Sequence, residues 1–159
     1  MQNFPKNQLE FILVKSSDDE DHLAQLHRLQ NVCLPSSDWS RESINKLLEN
    51  DCTSCFIIKI GNEFAGFSLF NIAAQEGEII SFGVAPEHRG NGYGKTIMEE
   101  TIGFMKKSGV TDIHLEVSVE NDHAIKVYSS LGFQKIGVRK KYYQIGDKRV
   151  DAIQMSLRI

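Results

Sequence analysis

The stretch EIISFGVAPEHRGNGYGKTIMEETIGFM (78–105) constrains the fold more than any other part of the chain. An apolar strand-like run, EIISFGVAP (78–86), leads directly into three glycines at alternate positions, Gly90, Gly92 and Gly94. Tyr93, Ile97, Thr101 and Met105 then fall on one helical stripe, and Gly109 ends the helix. A strand that passes through glycines into an amphipathic helix calls for a sheet with a helix packed on it. The glycines are costly to order, so they need a reason. A plain strand-to-helix turn is one. The other is an anion close to the main chain, because a helix start offers unpaired N–H groups and the positive end of its dipole. Arg89 adds a permanent positive charge. Two nucleotide motifs are excluded by spacing. GxxxxGK[ST] fails because Arg89 stands five before Gly94, and GxGxxG fails because the spacing is GxGxG.

The rest of the chain supplies the other layers. EFILVK (10–15) reads as a strand, and Ser17 with Glu20 forms a capping box for a helix running to about Asn31. Leu23, Leu26, His27 and Gln30 follow helical spacing. LPSSDWS breaks the chain, and Ser40 can cap a second helix through Leu48. SCFIIKI and EFAGFSLFNIAA are strands joined at Gly61-Asn62. DIHLEVSV (112–119) alternates, with Leu115, Val117 and Val119 on one face and His114, Glu116 and Ser118 on the other. NDHAIKVYSSLGF is a short helix closed by Gly132, and FQKIGVRKKYY with VDAIQMSLRI forms a closing hairpin. The order β α α β β β α β α β β predicts a mixed α/β domain with one central sheet of about seven strands and about four helices. At 159 residues the expected organisation is one domain spanning 1–159.

Charge and cysteines narrow the class. A net charge of −3 does not advertise nucleic-acid binding. Lys135, Arg139, Lys140, Lys141, Lys148 and Arg149 face only Asp147 over 135–149, which reads first as a solvated strand edge. No run is long and apolar enough to span a membrane, and the start lacks a signal-peptide pattern. Cys33, Cys52 and Cys55 are an odd number, which fits a reducing cytoplasm. CTSC (52–55) has half a zinc spacing with no second half, so no metal is expected.

Together, two motifs resemble the GNAT superfamily of acyl-CoA-dependent N-acyltransferases. RGNGYG fits the [QR]xxGx[GA] loop after a strand ending in VAP, and NDHAIKVYSSLGF follows about thirty residues on. LEVSVEN, AIKVYSSLGF, RKKYY and the terminal VDAIQMSL are similar to the RimI-type ribosomal-protein alanine N-acetyltransferases of that superfamily. The similarity is close over roughly 78–159. The N-terminal half matches in outline only, with a longer spacing in LPSSDWSRESI.

The resemblance implies a mostly antiparallel sheet, splayed between its fourth and fifth strands to admit acetyl-CoA. Arg89, Gly90, Asn91, Gly92, Tyr93, Gly94 and Lys95 would form the loop for the CoA pyrophosphate, largely through main-chain N–H groups. Phe82, Gly83 and Val84 would bind the pantetheine arm as an added strand, and main-chain donors there can polarise the thioester carbonyl. Asn121 would contact CoA and cap its helix.

The resemblance also makes Glu116 the general base, through water or with a pKa raised by burial, although a strand glutamate on that face is more often just solvated. Tyr128, seven residues after Asn121, becomes the general acid toward the CoA thiolate, against the plainer role of a core tyrosine. Trp39, Tyr142 and Tyr143 would line the acceptor groove. His114 could join a proton relay, and His88 and His123 flank the cofactor loop.

An α-amine of pKa about 7.8 is partly neutral at pH 7.4, whereas a lysine of pKa about 10.4 needs roughly 4 kcal/mol to reach that form. This supports the acceptor that the resemblance implies, the N-terminus of a protein, ribosomal proteins among them, attacked directly in a ternary complex. A small amine such as a polyamine or aminoglycoside is the alternative, and a non-catalytic acyl-CoA-binding module is a third reading. A monomer or homodimer is expected, with neither nucleic acid nor membrane as a partner.

Overall fold

The computed structural model describes residues 9–15, 19–35 and 39–159. Its elements run β1 (Leu9–Val14), α1 (Glu20–Cys33), α2 (Arg41–Leu48), β2 (Thr53–Ile60), β3 (Glu63–Ala73), β4 (Glu76–Val84), α3 (Tyr93–Lys107), β5 (Asp112–Ser118), α4 (Asp122–Ser130), β6 (Gln134–Ile145) and β7 (Lys148–Arg158). The strands form one sheet in the order β1-β2-β3-β4-β5-β7-β6. β4 and β5 are parallel, and every other neighbouring pair is antiparallel. Parallel neighbours cannot be joined by a tight turn, so α3 makes the crossover between them. This is the mixed α/β, mostly antiparallel sheet that the sequence led us to expect.

Helices cover both faces, which explains why β2 is buried almost throughout. Cys55 and Ile57 point into a core with Leu23, Leu26 and Leu29 of α1 and Ile44 and Leu48 of α2. Phe56 and Ile58 point the other way, toward Ile97, Met98 and Met105 of α3 and Ala124 and Tyr128 of α4. Each such large apolar side chain contributes about 1.5–3 kcal/mol on burial. On α3, Ile97, Thr101 and Met105 of the expected stripe are buried, whereas Tyr93 is only half-buried. Thr101 is tolerated inside because its Oγ1 donates to Ile97 O at 2.9 Å and shares a hydrogen bond with Ser68 Oγ at 3.0 Å.

Three of the boundaries that differ from expectation have a local cause. The cap of α1 is Asp19, whose Oδ1 accepts from the His22 N–H at 3.1 Å. Ser17, expected to open a capping box, lies outside the described residues. Aspartate caps as well as serine does, and a start at Glu20 keeps Leu23, Leu26, Leu29 and Cys33 on the buried face. β4 stops at Val84 because Pro86 has no N–H for a ladder and begins a short 3-10 turn. β5 stops at Ser118, whose carbonyl accepts from the Asn121 N–H at 3.0 Å to turn the chain toward α4. Val119 is left 38% exposed and does not join the Leu115–Val117 face.

Candidate functional site

β4 and β5 pair only from Glu76↔Asp112 to Ile79↔Leu115. Beyond that point Ile80–Val84 and Glu116–Ser118 part, and the edge of β4 facing β5 has no strand partner. The pairing of β3 with β4 is irregular at this point. Leu69 opposes Ser81 while Phe70 opposes Ile79, so Ile80 is an extra residue in β4. Such a bulge bends its strand, and it lies where the pairing of β4 with β5 ends. α4 closes the gap from one side. Its Tyr128 packs against Phe82 of β4 and Phe133, with ring centroids 5.8 and 5.7 Å apart.

Two cavities occupy the opening and meet at Cys33, Leu34, Phe82, Asn121 and Ala124. The first, about 580 Å³, is bounded by the glycine loop: Gly83, Val84, Arg89, Gly90, Gly92, Tyr93, Gly94 and Lys95 all line it. Gly92 is the N-cap of α3, in the left-handed region at φ 79°, and offers no side-chain cap. Gly90 is also left-handed at φ 78°, and a Cβ on either residue would meet nothing within 4 Å. The first N–H groups of α3 therefore lie beside open space at the positive end of a helix. A phosphate-bearing ligand fits this end.

Asn121 performs its expected capping, accepting from the Ala124 N–H at 3.1 Å, and lines both cavities. His88 and His123 line the loop cavity. Asn91 does not. Its Nδ2 donates to the carbonyls of His88 and Arg89, bracing the turn from the other side. Arg89 is also more than a free charge. Nε donates to Val84 O at 2.9 Å and Nη2 to Cys33 O at 3.0 Å, tying the end of α1 to the end of β4. Gly83 has a packing reason that the sequence hid: a Cβ there would sit 2.6 Å from the Cβ of Cys33.

The second cavity, about 480 Å³, is lined by Glu116 and Tyr128 together with Trp39, Tyr143, Gln144 and Ile145. The alternation of β5 turns Glu116 away from the α3–α4 core, as expected, and its side chain is 22% exposed. Its Oε1 accepts from Arg139 Nη1 at 2.8 Å and from Gln154 Nε2 at 3.3 Å. The Tyr143 hydroxyl donates to the main-chain carbonyl of Glu116 at 3.2 Å.

Burial, and then the neighbouring Tyr143, push the Tyr128 phenol above its ordinary range. Burial also raises Tyr143, to about 12, with Glu116 and Tyr142 adding to the rise. Tyr142 is 45% exposed and outside the cavity lining, edge-on to Tyr143 at 5.0 Å between centroids. Of the segment LPSSDWS, Leu34, Pro35 and Trp39 line the cavity, and residues 36–38 lie outside the described residues. His114 lines neither cavity.

Sequence reasoning missed Arg139 and Gln154. Gln154 lies directly opposite Glu116 on β7, which an assumed strand pairing could have revealed. Arg139 had no such signal. The basic segment is also less free than it reads: Lys140 pairs with Asp151 at 3.5 Å, and Lys148 with Glu120. Cys52 is exposed and Cys55 is buried in β2. Among the described residues no three His, Cys, Asp or Glu side chains are grouped to hold a metal, and no helix is long and apolar enough to cross a membrane.

Residues 23–133 match the Acetyltransferase (GNAT) family. The [ribosomal protein bS18]-alanine N-acetyltransferase of Escherichia coli (strain K12) is 34% identical over 104 residues, which is 65% of this chain and 70% of that protein. A putative enzyme of the same name from Bacillus subtilis (strain 168) is 29% identical over 139 residues, covering 87% of this chain and 88% of its own. The crystal structure of the ribosomal-protein-S18-alanine N-acetyltransferase from Escherichia coli superposes with a TM-score of 0.83 at 27% identity, covering 94% of each chain.

Proposed function

The chain belongs to the acetyltransferase (GNAT) family and is an acetyl-CoA-dependent N-acetyltransferase; from that premise we propose that its acceptor is the N-terminal α-amine of a protein, with ribosomal proteins the first class to test. The observation that carries this reading is one cavity with Glu116 and Tyr128 in its walls, continuing to Trp39, Tyr143 and Ile145. Those flat and apolar side chains suit the main chain and first side chain of a peptide. The names of the two bacterial relatives support the same acceptor class.

Acetyl-CoA supplies an acetyl group activated as a thioester. The N–H groups of Gly92–Lys95 and the α3 dipole would hold its diphosphate, and the open edge of Phe82–Val84 its pantetheine arm. The acceptor amine attacks the carbonyl carbon directly. A C–N bond forms, the C–S bond breaks, Glu116 takes the proton from the amine nitrogen, and Tyr128 gives its proton to the departing sulfur. A phenol of ordinary pKa about 10 already carries its proton at neutral pH, so this acid needs no shift to be loaded. Cys33, at the meeting of the cavities, has its thiol pushed up to about 11 by burial and takes no part as a nucleophile.

One carboxylate suits an acceptor that is already partly neutral. An α-amine of pKa about 7.8 meets that condition and a lysine of about 10.4 does not. The test is a panel of N-terminal peptides, including those of ribosomal proteins, beside lysine peptides, polyamines and aminoglycosides, all with acetyl-CoA. Turnover of the N-terminal peptides is expected to exceed that of every other class. Turnover confined to the small amines would overturn the proposal.

A further inference from the structure

The ion pair of Arg139 with Glu116 sits directly beside a break in the pairing of β6 with β7. Arg139 opposes Ala152 and Tyr143 opposes Val150, so β6 advances from 139 to 143 while β7 moves only from 152 to 150. The surplus is taken up in a bulge at Lys141, whose φ of 51° is in the left-handed region that non-glycine residues avoid. The bulge is pinned. The Lys141 N–H donates to Asp151 Oδ1 at 2.8 Å, and Lys140 Nζ lies 3.5 Å from Asp151 Oδ2.

The outcome is a guanidinium held on two sides. It donates to Glu116 Oε1 at 2.8 Å and lies 4.4 Å from the centre of the Tyr142 ring. Gln154 reaches the same Oε1. Both of these hydrogen bonds converge on the same carboxylate oxygen, so Arg139 and Gln154 restrain the carboxylate from β6 and β7.

We propose that Arg139 is a positioning residue for the acyl transfer: it clamps Glu116 through Oε1 so that the carboxylate meets the acceptor amine, and its charge favours the neutral amine over the ammonium form. The inference rests on the reading of Glu116 as the base. A cation beside a binding ammonium lowers that ammonium's pKa, and only the neutral amine attacks. The groups around Glu116 and its cavity are Arg139, Tyr142 and Tyr143 of β6, Gln154 of β7, His114 of β5, Glu78 of β4 (paired with His114), Tyr128 of α4, and Glu120, whose carboxylate is itself paired with Lys148. Arg139 alone among them carries a permanent positive charge.

The test is kcat from about pH 6 to 9 with an N-terminal peptide acceptor, for wild type, Arg139→Met, Arg139→Lys, Glu116→Gln and Arg139→Met with Glu116→Gln. Thermal melts with and without CoA check folding and cofactor binding. Arg139→Met is expected to lower kcat by about 10–100-fold, as removal of an orienting partner commonly does, and to move the acid limb of kcat to higher pH. Arg139→Lys keeps the charge but loses the fork, so it should lower kcat without moving the limb. In the Glu116→Gln background, Arg139→Met should cost less than it does in wild type, because the clamp is already lost and only the effect of the charge on the amine remains.

A lower kcat with an unmoved acid limb in Arg139→Met, or full additivity with Glu116→Gln, would overturn the positioning role while leaving Glu116 as base. If Arg139→Met does not fold, Arg139→Lys decides: unchanged kcat overturns the proposal. A Glu116→Gln enzyme with wild-type kcat and pH profile would instead overturn the reading of Glu116 itself.

Discussion

At one end of the opening between β4 and β5, what faces a ligand is mostly main chain: the first N–H groups of α3, a left-handed Gly92 as its cap, and the unpartnered edge of β4. At the other end it is side chains, namely Glu116, Tyr128, Tyr143 and Trp39, each brought by a different element or held by a neighbour on another strand. Main-chain donors come with a helix start and need only glycines to uncover them. Side-chain groups must be aimed, and the aiming is done by residues distant in sequence. The two ends should therefore fail differently: the loop end through packing and backbone conformation, the Glu116 end through chemistry with the fold intact.

The sharpest break of that contrast is Tyr128→Phe. The ring still packs between Phe82 and Phe133, so the core and the Asn121 cap are preserved. If the phenol loads the departing sulfur with a proton, kcat should fall by about 10²-fold or more. The melting temperature and the stabilisation by CoA should stay near wild type. A kcat within a few-fold of wild type would remove Tyr128 from the acid role and leave it a packing tyrosine.

The opposite failure is expected at Gly83. A Cβ there would lie 2.6 Å from Cys33 Cβ and 3.1 Å from the Phe67 ring, both part of a packed core. Gly83→Ala must push α1 from the sheet, at a cost of about 1–3 kcal/mol and a drop in Tm of ~2–4 °C for each kcal/mol. Since Arg89 ties Cys33 O to Val84 O, that shift also reaches the loop and should weaken CoA binding. Thermal melts with and without CoA measure both effects. An unchanged Tm would mean that α1 is not seated on Gly83.

How legible each end was follows from the same difference. RGNGYG and the stripe behind it are contiguous, so the start of α3 and its open N–H groups could be read directly. The face of Glu116 was legible too, because strand alternation is local. What joins Glu116 to Arg139 was not, since two extra residues in β6 change which side chains oppose β7, and no pattern in VRKKYY announces a bulge. The Ile80 bulge where β4 parts from β5 was equally silent in EIISFGV, where the resemblance and not the residues suggested a splay. That Asp19 caps α1 could not be singled out within SDDE, because several residues there can cap and core packing sets where the helix starts. The requirement for Gly83 arises from α1 across the sheet, and sequence spacing carries no trace of it.

The gentlest probe of the Glu116 end is Tyr143→Phe, which removes one hydroxyl and should cost about 0.5–1.5 kcal/mol at neutral pH, the worth of its hydrogen bond to Glu116 O. Its fuller signature lies at alkaline pH. The phenol is raised from its ordinary 10.0 to about 12, first by burial and then by the charge of Glu116, with Tyr142 adding and Arg139 opposing. Below pH 10 the tyrosine is neutral in both folded and unfolded chains, so the contribution of the shifted group is fully present. Above it the unfolded chain gives up the proton while the folded chain keeps it, so stability falls as pH rises toward about 12. Denaturant unfolding across that window should show a shallower decline for Tyr143→Phe than for wild type. Some slope must remain, because Tyr128 is raised in the same direction. Superimposable slopes would mean that Tyr143 is open to water in the folded protein, and the Glu116 cavity would then lack the dry wall that raises both phenols.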